Sequence, residues 1–274
     1  MGKLLWLASY PKSGNTWLRA LLHNYLRQPA EPWDINRLTD FTAGDSSAAL
    51  YRHYDPRPAS QYSIADVQRI RPLVHRDLTQ AFPGVVFVKT HNAVAYVEGV
   101  PLVTPELTAG VIYVMRDPRD VAISYSHHLG KDLDETIAFL GDPEAAVGGT
   151  DSKVYEKHSS WSNHVVSWTP SPDPHLLVLR YEDLLADPIE RFGRVIRFLG
   201  GPPAPERLER AVRFSRFEVL SDQERRHGFT ERPAGADRFF RTGQAGRWRD
   251  VLRPDQVARI ECDHGAVMER FGYL

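Results

Sequence analysis

The sequence predicts an α/β protein, a three-layer sandwich with a central, mainly parallel sheet flanked by helices, because one unit recurs three times along it. In each unit a short apolar strand runs into a polar or Gly/Pro turn, and a helix with recognisable start signals follows. Strands that alternate with helices are joined by crossovers, which makes the sheet mainly parallel and covers both of its faces. The 274 residues are 42% hydrophobic and 25% charged, which supplies a buried core and excludes a disordered or collagen-like chain.

The first unit is an apolar run over residues 4–10, a turn at 11–14 and a helix over 16–27, where Trp17, Leu18, Leu21, Leu22, Tyr25 and Leu26 recur at helical spacing. Residues 85–88 form another apolar run after Pro83 and Gly84. The run 111–115 leads to Asp117 as an N-cap and Pro118 at the first helical position, with the helix continuing to about residue 128. The run 176–179 passes through Tyr181-Glu182-Asp183 to a helix capped by Asp187, with Pro188 at its start and Gly200 after its end. Residues 254–271 read as a C-terminal helix. Residues 28–76 and 221–241 are less periodic and richer in Pro, Gly and charge, and read as an insertion and a lid on one domain spanning 1–274.

Lys and Arg number 34 against 35 Asp and Glu, a net charge of −1, which argues against a surface devoted to nucleic acid. Cys262 is the single cysteine, so no intramolecular disulfide or Cys-rich zinc site can form, and a reducing compartment fits best. The apolar stretch at 4–8 is too short for a secretory or membrane-spanning segment, and Trp6 stands where an N-myristoylation signal wants Ser or Thr. The expectation is a cytoplasmic protein without a membrane partner.

Chemistry concentrates at the strand ends. Ser9-Tyr10-Pro11-Lys12-Ser13-Gly14-Asn15-Thr16 lies where a strand gives way to a helix, where backbone N–H groups and the helix terminus favour a phosphate. Against the Walker pattern G-x-x-x-x-G-K-[ST], Gly14 and Thr16 match, Ser9 replaces the first Gly, Asn15 replaces the Lys, and the loop's lysine sits three positions earlier at Lys12. The loop is P-loop-like, an anion cradle that suits an ATPase poorly. By composition alone Lys12 also fits a solvated loop cation and Trp17 a core residue.

Tyr10-Pro11-Lys12-Ser13-Gly14-Asn15-Thr16-Trp17 resembles the 5′-phosphosulfate loop of sulfotransferases that use 3′-phosphoadenosine 5′-phosphosulfate (PAPS). The resemblance implies that Lys12 contacts the bridging oxygen of the phosphosulfate, that Ser13, Gly14, Asn15 and Thr16 complete the cradle, and that Trp17 stacks on adenine. The stretch 111–124 resembles the family's 3′-phosphate segment, with Arg116 and Ser124 on its two ligands; alone, Arg-Asp-Pro-Arg reads equally as a capped helix start with surface ion pairs. Residues 239–248 resemble its C-terminal Arg-Lys-Gly-x-x-Gly-x-Trp stretch, where Arg241 and Gly243 match and Thr242 stands in place of lysine. The 12 Arg against seven acids over 207–253 offset that missing cation. Ser215 and Phe217 resemble the family's adenine-side residues, as does Tyr181; by residue type Phe217 and Tyr181 fit core positions as well.

Lys89-Thr90-His91 resembles the family's Lys-Thr-His segment at a strand's carboxyl end, where open α/β sheets bind ligands. Sulfuryl transfer, like phosphoryl transfer, is in-line with a loose transition state, so positioning and cations carry it. On that reading Lys12 stabilises the leaving oxygen, Lys89 the sulfuryl oxygens, and His91 is the general base, with Thr90 a weaker orienting group. His127 and His128 read as surface residues, and no metal is required. The acceptor pocket is expected from 91–104, with Tyr96 and Val97, together with parts of 28–76 and of the lid.

The reading is a PAPS-dependent sulfotransferase (EC 2.8.2) acting on a small-molecule hydroxyl, with adenosine 3′,5′-bisphosphate (PAP) as product. The stretch 6–19 is more similar to bacterial members, including those that tailor glycopeptide antibiotics, than to animal ones. A P-loop nucleotide kinase and a non-catalytic PAP-binding module remain the alternatives, and neither acceptor identity nor oligomeric state is legible.

Overall fold

The computed structural model describes residues 2–81, 84–233 and 235–274. Pro83, and one residue of the stretch 221–241, therefore lie outside the described residues. The strands are β1 (Lys3–Ser9), β2 (Thr42–Gly44), β3 (Val85–Thr90), β4 (Tyr96–Val97), β5 (Val100–Pro101), β6 (Thr108–Met115), β7 (Ala146–Val147), β8 (Glu156–Lys157) and β9 (Leu176–Arg180). Five of them form one sheet in the order β2-β3-β1-β6-β9, every pair parallel. The other four make two antiparallel two-stranded ribbons, β4 with β5 and β7 with β8.

The helices are α1 (Asn15–Arg27), α2 (Ala48–Tyr51), α3 (Ile64–Ala81), α4 (Pro118–Leu129), α5 (Leu133–Gly141), α6 (Trp161–Trp168), α7 (Tyr181–Ala186), α8 (Pro188–Phe198), α9 (Pro205–Phe214), α10 (Phe217–His227), α11 (Trp248–Val251) and α12 (Pro254–Arg270). The start signals act as expected: Asp117 accepts from the Arg119 N–H and Asp187 from the Glu190 N–H, each with proline first in the helix.

Alternation along β1 assigns the two faces. Leu4, Trp6 and Ala8 join Tyr113 and Met115 under α3, α4, α6 and α12. Leu5 and Leu7 join Ile112 and Val114 under α1, α8 and α9. Each large apolar side chain so buried contributes about 1.5–3 kcal/mol, and both faces are dry, which is why the strands read as continuous apolar runs. A smaller cluster of Ala20, Ile35, Leu38, Leu220, Phe229 and Phe240 fastens the segment after α10 to α1.

The stretch 28–76 supplies the edge strand β2, paired with β3 from Thr42 to Gly44, and most of α3, whose Val67, Ile70 and Val74 enter the core. Within 221–241, residues to His227 continue α10. β1 is flanked by β3 on one side and β6 on the other, so the crevice beyond its carboxyl end is where such a sheet admits a ligand.

Candidate active site

A cavity of about 580 Å³ occupies that crevice, and Pro11, Lys89, His91 and Arg116 bring the ends of β1, β3 and β6 to its wall. At the end of β1 the chain turns through Lys12 (φ 66°) and Gly14 (φ 108°). Gly14 precedes α1 and offers no side-chain cap, so the first N–H groups of the helix remain available to an anion. A Cβ at Gly14 would stand 2.8 Å from Tyr181 Cδ2, which makes glycine obligatory there for steric as well as backbone reasons. Asn15 Nδ2 donates to the Leu7 carbonyl at 2.7 Å. Asparagine in the Walker lysine position therefore ties the loop back to β1 instead of reaching a phosphate.

Lys12 Nζ lies 3.7 Å from the centroid of the Phe239 ring. Burial, then the neighbouring Arg116 and Lys89 cations, pull its amine down to about 7, with Glu224 and Glu231 opposing. Lys89 is lowered by the same desolvation, opposed by Glu231, whose carboxylate stands 3.9 Å away. Glu231 also accepts from buried Arg19 at 2.6 Å, and against its own desolvation Arg19 and Lys89 hold it at about 2. The segment after α10 thus places a permanent carboxylate beside one of the two expected catalytic lysines.

His91 Nδ1 is 2.9 Å from the Ser9 carbonyl. A carbonyl only accepts, so the proton is on Nδ1 and the lone pair is on Nε2, the atom left for chemistry. Burial first, then Lys89, push the imidazole well below its ordinary value, while Glu156 and the Ser9 carbonyl push it up. Burial thus favours the neutral form of the imidazole. Thr90 is turned away from the cavity: its hydroxyl donates to Asp45 Oδ2 at 3.0 Å, as does Asn92 Nδ2. Its work is to brace the strand end on either side of His91.

The other end of the cavity carries Arg116, Ser124, Arg241, Thr242, Gly243 and Arg247. Arg116 donates to the carbonyls of Lys12 at 3.3 Å and Gln244 at 2.8 Å and stacks 4.5 Å from the Tyr181 ring centroid. Its Nε is buried without a partner among the described residues. Asp120 accepts from the N–H groups of Gly246 and Trp248 at 2.6 and 3.0 Å, which pins the 241–248 segment over α4. Glu224 does the same for Phe239 and Phe240. Gly243 has φ 60°, and a Cβ there would meet Phe217 Cδ2 at 2.5 Å. Trp17 and Tyr181 stand edge to face at 5.6 Å on the wall between the two ends. Ser215 is buried and accepts from Asn24.

Every residue expected to bind the donor or act in catalysis lies on this one wall except Ser13, which is fully buried with its hydroxyl unpartnered among the described residues, and Thr90, which turns away toward Asp45. Two expectations need correction. His128, expected on the surface, is half-buried in the cavity wall, where burial pulls it down to about 3, whereas His127 touches the cavity but is an exposed surface residue as expected. Residues 92–104 do not line this cavity: Tyr96 is 72% exposed on the β4–β5 ribbon, and neither it nor Val97 is on the wall. The wall beside His91 comes instead from Val147, Thr150, Lys153, Val154, Glu156 and His158, a stretch that carries no sequence motif. Among the described residues no group of His, Cys, Asp or Glu is arranged to hold a metal ion, and no helix is long and apolar enough to cross a membrane.

The chain matches the family described as "Sulfotransferase domain" over residues 3–272. It is 25% identical to flavonol 3-sulfotransferase of Flaveria bidentis, over 94% of this chain and 79% of that one. With sulfotransferase 1A1 of Canis lupus familiaris it shares 24% identity over 98% of this chain and 84% of the relative. Among solved structures it is similar in fold to retinol dehydratase in complex with androsterone and the inactive cofactor PAP, with a TM-score of 0.66 and 22% identity over 97% of this chain and 80% of that one. A mouse sulfotransferase complexed with PAP gives a TM-score of 0.62 at 17% identity, covering 97% of this chain and 84% of the other.

Proposed function

Because the chain belongs to the sulfotransferase domain family, we propose that the cavity takes PAPS across its two cationic ends and presents the sulfuryl group to an acceptor hydroxyl beside His91. The protein is a PAPS-dependent sulfotransferase (EC 2.8.2) that transfers a sulfuryl group to a hydroxyl of a small-molecule acceptor.

One observation supports the residue assignment above all: a single cavity has a lysine pair and helix terminus at one end, an arginine cluster at the other, and aromatic walls between. A nucleotide with phosphates at both ends and a flat base fits that arrangement, and the unpartnered Nε of cavity-lining Arg116 is a group such a ligand can satisfy. Lys12, Ser13, Gly14, Asn15 and Thr16 would hold the 5′ end. Arg116, Ser124, Arg241, Thr242 and Gly243 would hold the 3′-phosphate, and Trp17, Tyr181, Ser215 and Phe217 the base. When bound, PAPS supplies an activated sulfuryl group whose bridging oxygen takes up charge as it leaves. Lys12 and Lys89 place cations where that charge accumulates. His91, with its tautomer set by the Ser9 carbonyl, accepts the hydroxyl proton at Nε2.

We further propose a single domain in which 221–241 acts as a lid over the catalytic lysines, a cytoplasmic location in keeping with the lone cysteine, and affinity with bacterial members resting on the stretch 6–19. The test is calorimetric binding of PAP against ATP without magnesium, on the natural chain and on Arg116→Ala. The expected result is a clear preference for PAP that Arg116→Ala reduces by about 10- to 100-fold, the value of one or two charge-assisted hydrogen bonds. Equal or ATP-favoured binding that needs magnesium would replace this reading with a kinase.

A further inference from the structure

Beside His91 the cavity wall carries a carboxylate that the donor site does not use. Glu156 is 4% exposed, yet it lines the cavity. Its Oε1 accepts from the Ser46 hydroxyl at 2.6 Å, whereas Oε2 makes no hydrogen bond among the described residues and stands 3.7 Å from His158 Nε2. Tyr125 shares a 3.1 Å hydrogen bond with His158 Nδ1. With that phenol as donor, the N–H of His158 is on Nε2, facing the carboxylate. His158 Nε2 has no other partner among the described residues.

The β8 segment is locked against the loop that carries His91. Lys157 N–H donates to Asn92 Oδ1 at 2.9 Å, and Ala93 N–H donates to the Lys157 carbonyl at 2.8 Å. The rings of His91 and His158 consequently lie edge to face with centroids 6.5 Å apart. From α6, His164 Nε2–H donates to the His91 carbonyl at 3.1 Å, and the Tyr113 hydroxyl donates to His164 Nδ1 at 2.8 Å, so both flanking imidazoles are held by tyrosines. The charged and titratable groups around His91 are therefore Lys89 on its own strand, Glu156 and His158 from the β8 segment, and His164 from α6, with Lys153 bearing on Glu156.

Among these groups Glu156 is the anion. His91 leans on a neutral carbonyl, so taking a proton creates an imidazolium in a buried place, next to the Lys89 cation, with no carboxylate on its Nδ1. Glu231 is already committed to Arg19 and Lys89. We propose that Glu156 is a positioning residue for sulfuryl transfer: its buried carboxylate stabilises the imidazolium that forms when His91 takes the acceptor's proton. In that step the acceptor O–H bond breaks and its proton passes to His91 Nε2. The new oxygen–sulfur bond forms as the bond from sulfur to the bridging oxygen breaks, and the electron pair leaves on the 5′-phosphate of PAP. The two fields are reciprocal: Glu156 raises His91, and His91, once protonated, in turn lowers Glu156 beside the His158 contact and against the carboxylate's desolvation.

The inference rests on His91 being the base, and the experiment separates the two. The full-length chain labelled with ¹⁵N-histidine is titrated by NMR with PAP at saturation, His91 being assigned from the spectrum of His91→Gln. Glu156→Gln is expected to move the protonation of His91 to lower pH by one unit or more, a tenfold loss of imidazolium at a given pH, and to leave the calorimetric affinity for PAP within threefold. Glu156→Asp retains the charge and is expected to restore part of the shift; it also serves if the glutamine variant does not fold. A His91 midpoint that is unchanged or higher in Glu156→Gln would overturn the proposal. So would a natural chain whose His91 stays neutral at every pH at which it is folded, because the carboxylate would then not make the imidazolium accessible. Failure of the base assignment itself would show differently, as sulfuryl transfer to 2-naphthol that survives His91→Ala.

Discussion

Lys12 offers a quantitative test of the donor site, because its amine is held at about 7 in the free chain by burial and by the Arg116 and Lys89 cations. Anion binding requires the ammonium form. At pH 7 about half of the free molecules carry it, and at pH 9 about 1% do. A phosphate beside the amine keeps the bound state charged, so above pH 7 each complex takes up a proton as it forms. The affinity for PAP should then fall roughly 50-fold between pH 7 and 9, equivalent to about 2.3 kcal/mol. The sign is unambiguous. A depressed lysine favours anion binding below its pKa and opposes it above, and the phosphates of PAP are already mostly dianionic in that range. Calorimetry across this range, in buffers of different ionisation enthalpy, measures both the slope and the proton uptake. Lys12→Arg stays charged throughout and should abolish the slope, which isolates Lys12 from Lys89. A constant affinity between pH 7 and 9, or a parallel decline in Lys12→Arg, would refute the reasoning.

Two further outcomes are expected. His91→Ala should lower kcat for sulfation of 2-naphthol by about 10²- to 10⁴-fold, the range of a lost general base, and leave the Kd for PAP within threefold; a comparable loss in PAP binding would mean the residue serves the donor site instead. Gly243→Ala forces a side chain into positive φ and against Phe217 at 2.5 Å, so it should cost about 1–2 kcal/mol of stability and weaken PAP several-fold. Thermal unfolding with and without PAP would read both effects.

The cavity residues proposed to hold the donor could be picked out in the sequence because they sit where a parallel sheet delivers them. Lys12, Lys89, His91 and Arg116 all follow directly from strand ends, and a strand end is readable as an apolar run that stops. Asp117 and Pro118 announced α4, so the placement of Ser124 followed. The region 28–76 was harder: β2 is three residues long and α3 contains Pro72, which interrupts the helical pattern read from sequence. Arg19, Asp45, Asp120 and Glu224 went unnoticed because each acts on a partner far along the chain, at separations that no local pattern records. The cavity wall beside His91 went unread for a related reason. It is built by a stretch whose two ribbon strands have two residues each, and its charged members Lys153, Glu156 and His158 look in sequence like an ordinary solvated loop.

Those hidden residues also explain how one small cavity holds so many cations without a ligand. Lys12, Lys89, Arg116 and Lys153 all face it, and in a buried setting their mutual repulsion would be destabilising. Glu231 and Glu156 divide the compensation between two places. Glu231, bonded to Arg19, lies 3.9 Å from Lys89, close enough to hold the ammonium's charge but beyond hydrogen-bond range. Lys89 can therefore turn its donors toward sulfuryl oxygens without first breaking a hydrogen-bonded ion pair. Glu156 lines the wall beside His91, whose imidazole, under the proposal, becomes charged only as the proton moves. One carboxylate thus balances a cation present before the donor arrives, and the other a cation that exists only during transfer, which is the distinction that favours a transition state over a bound substrate.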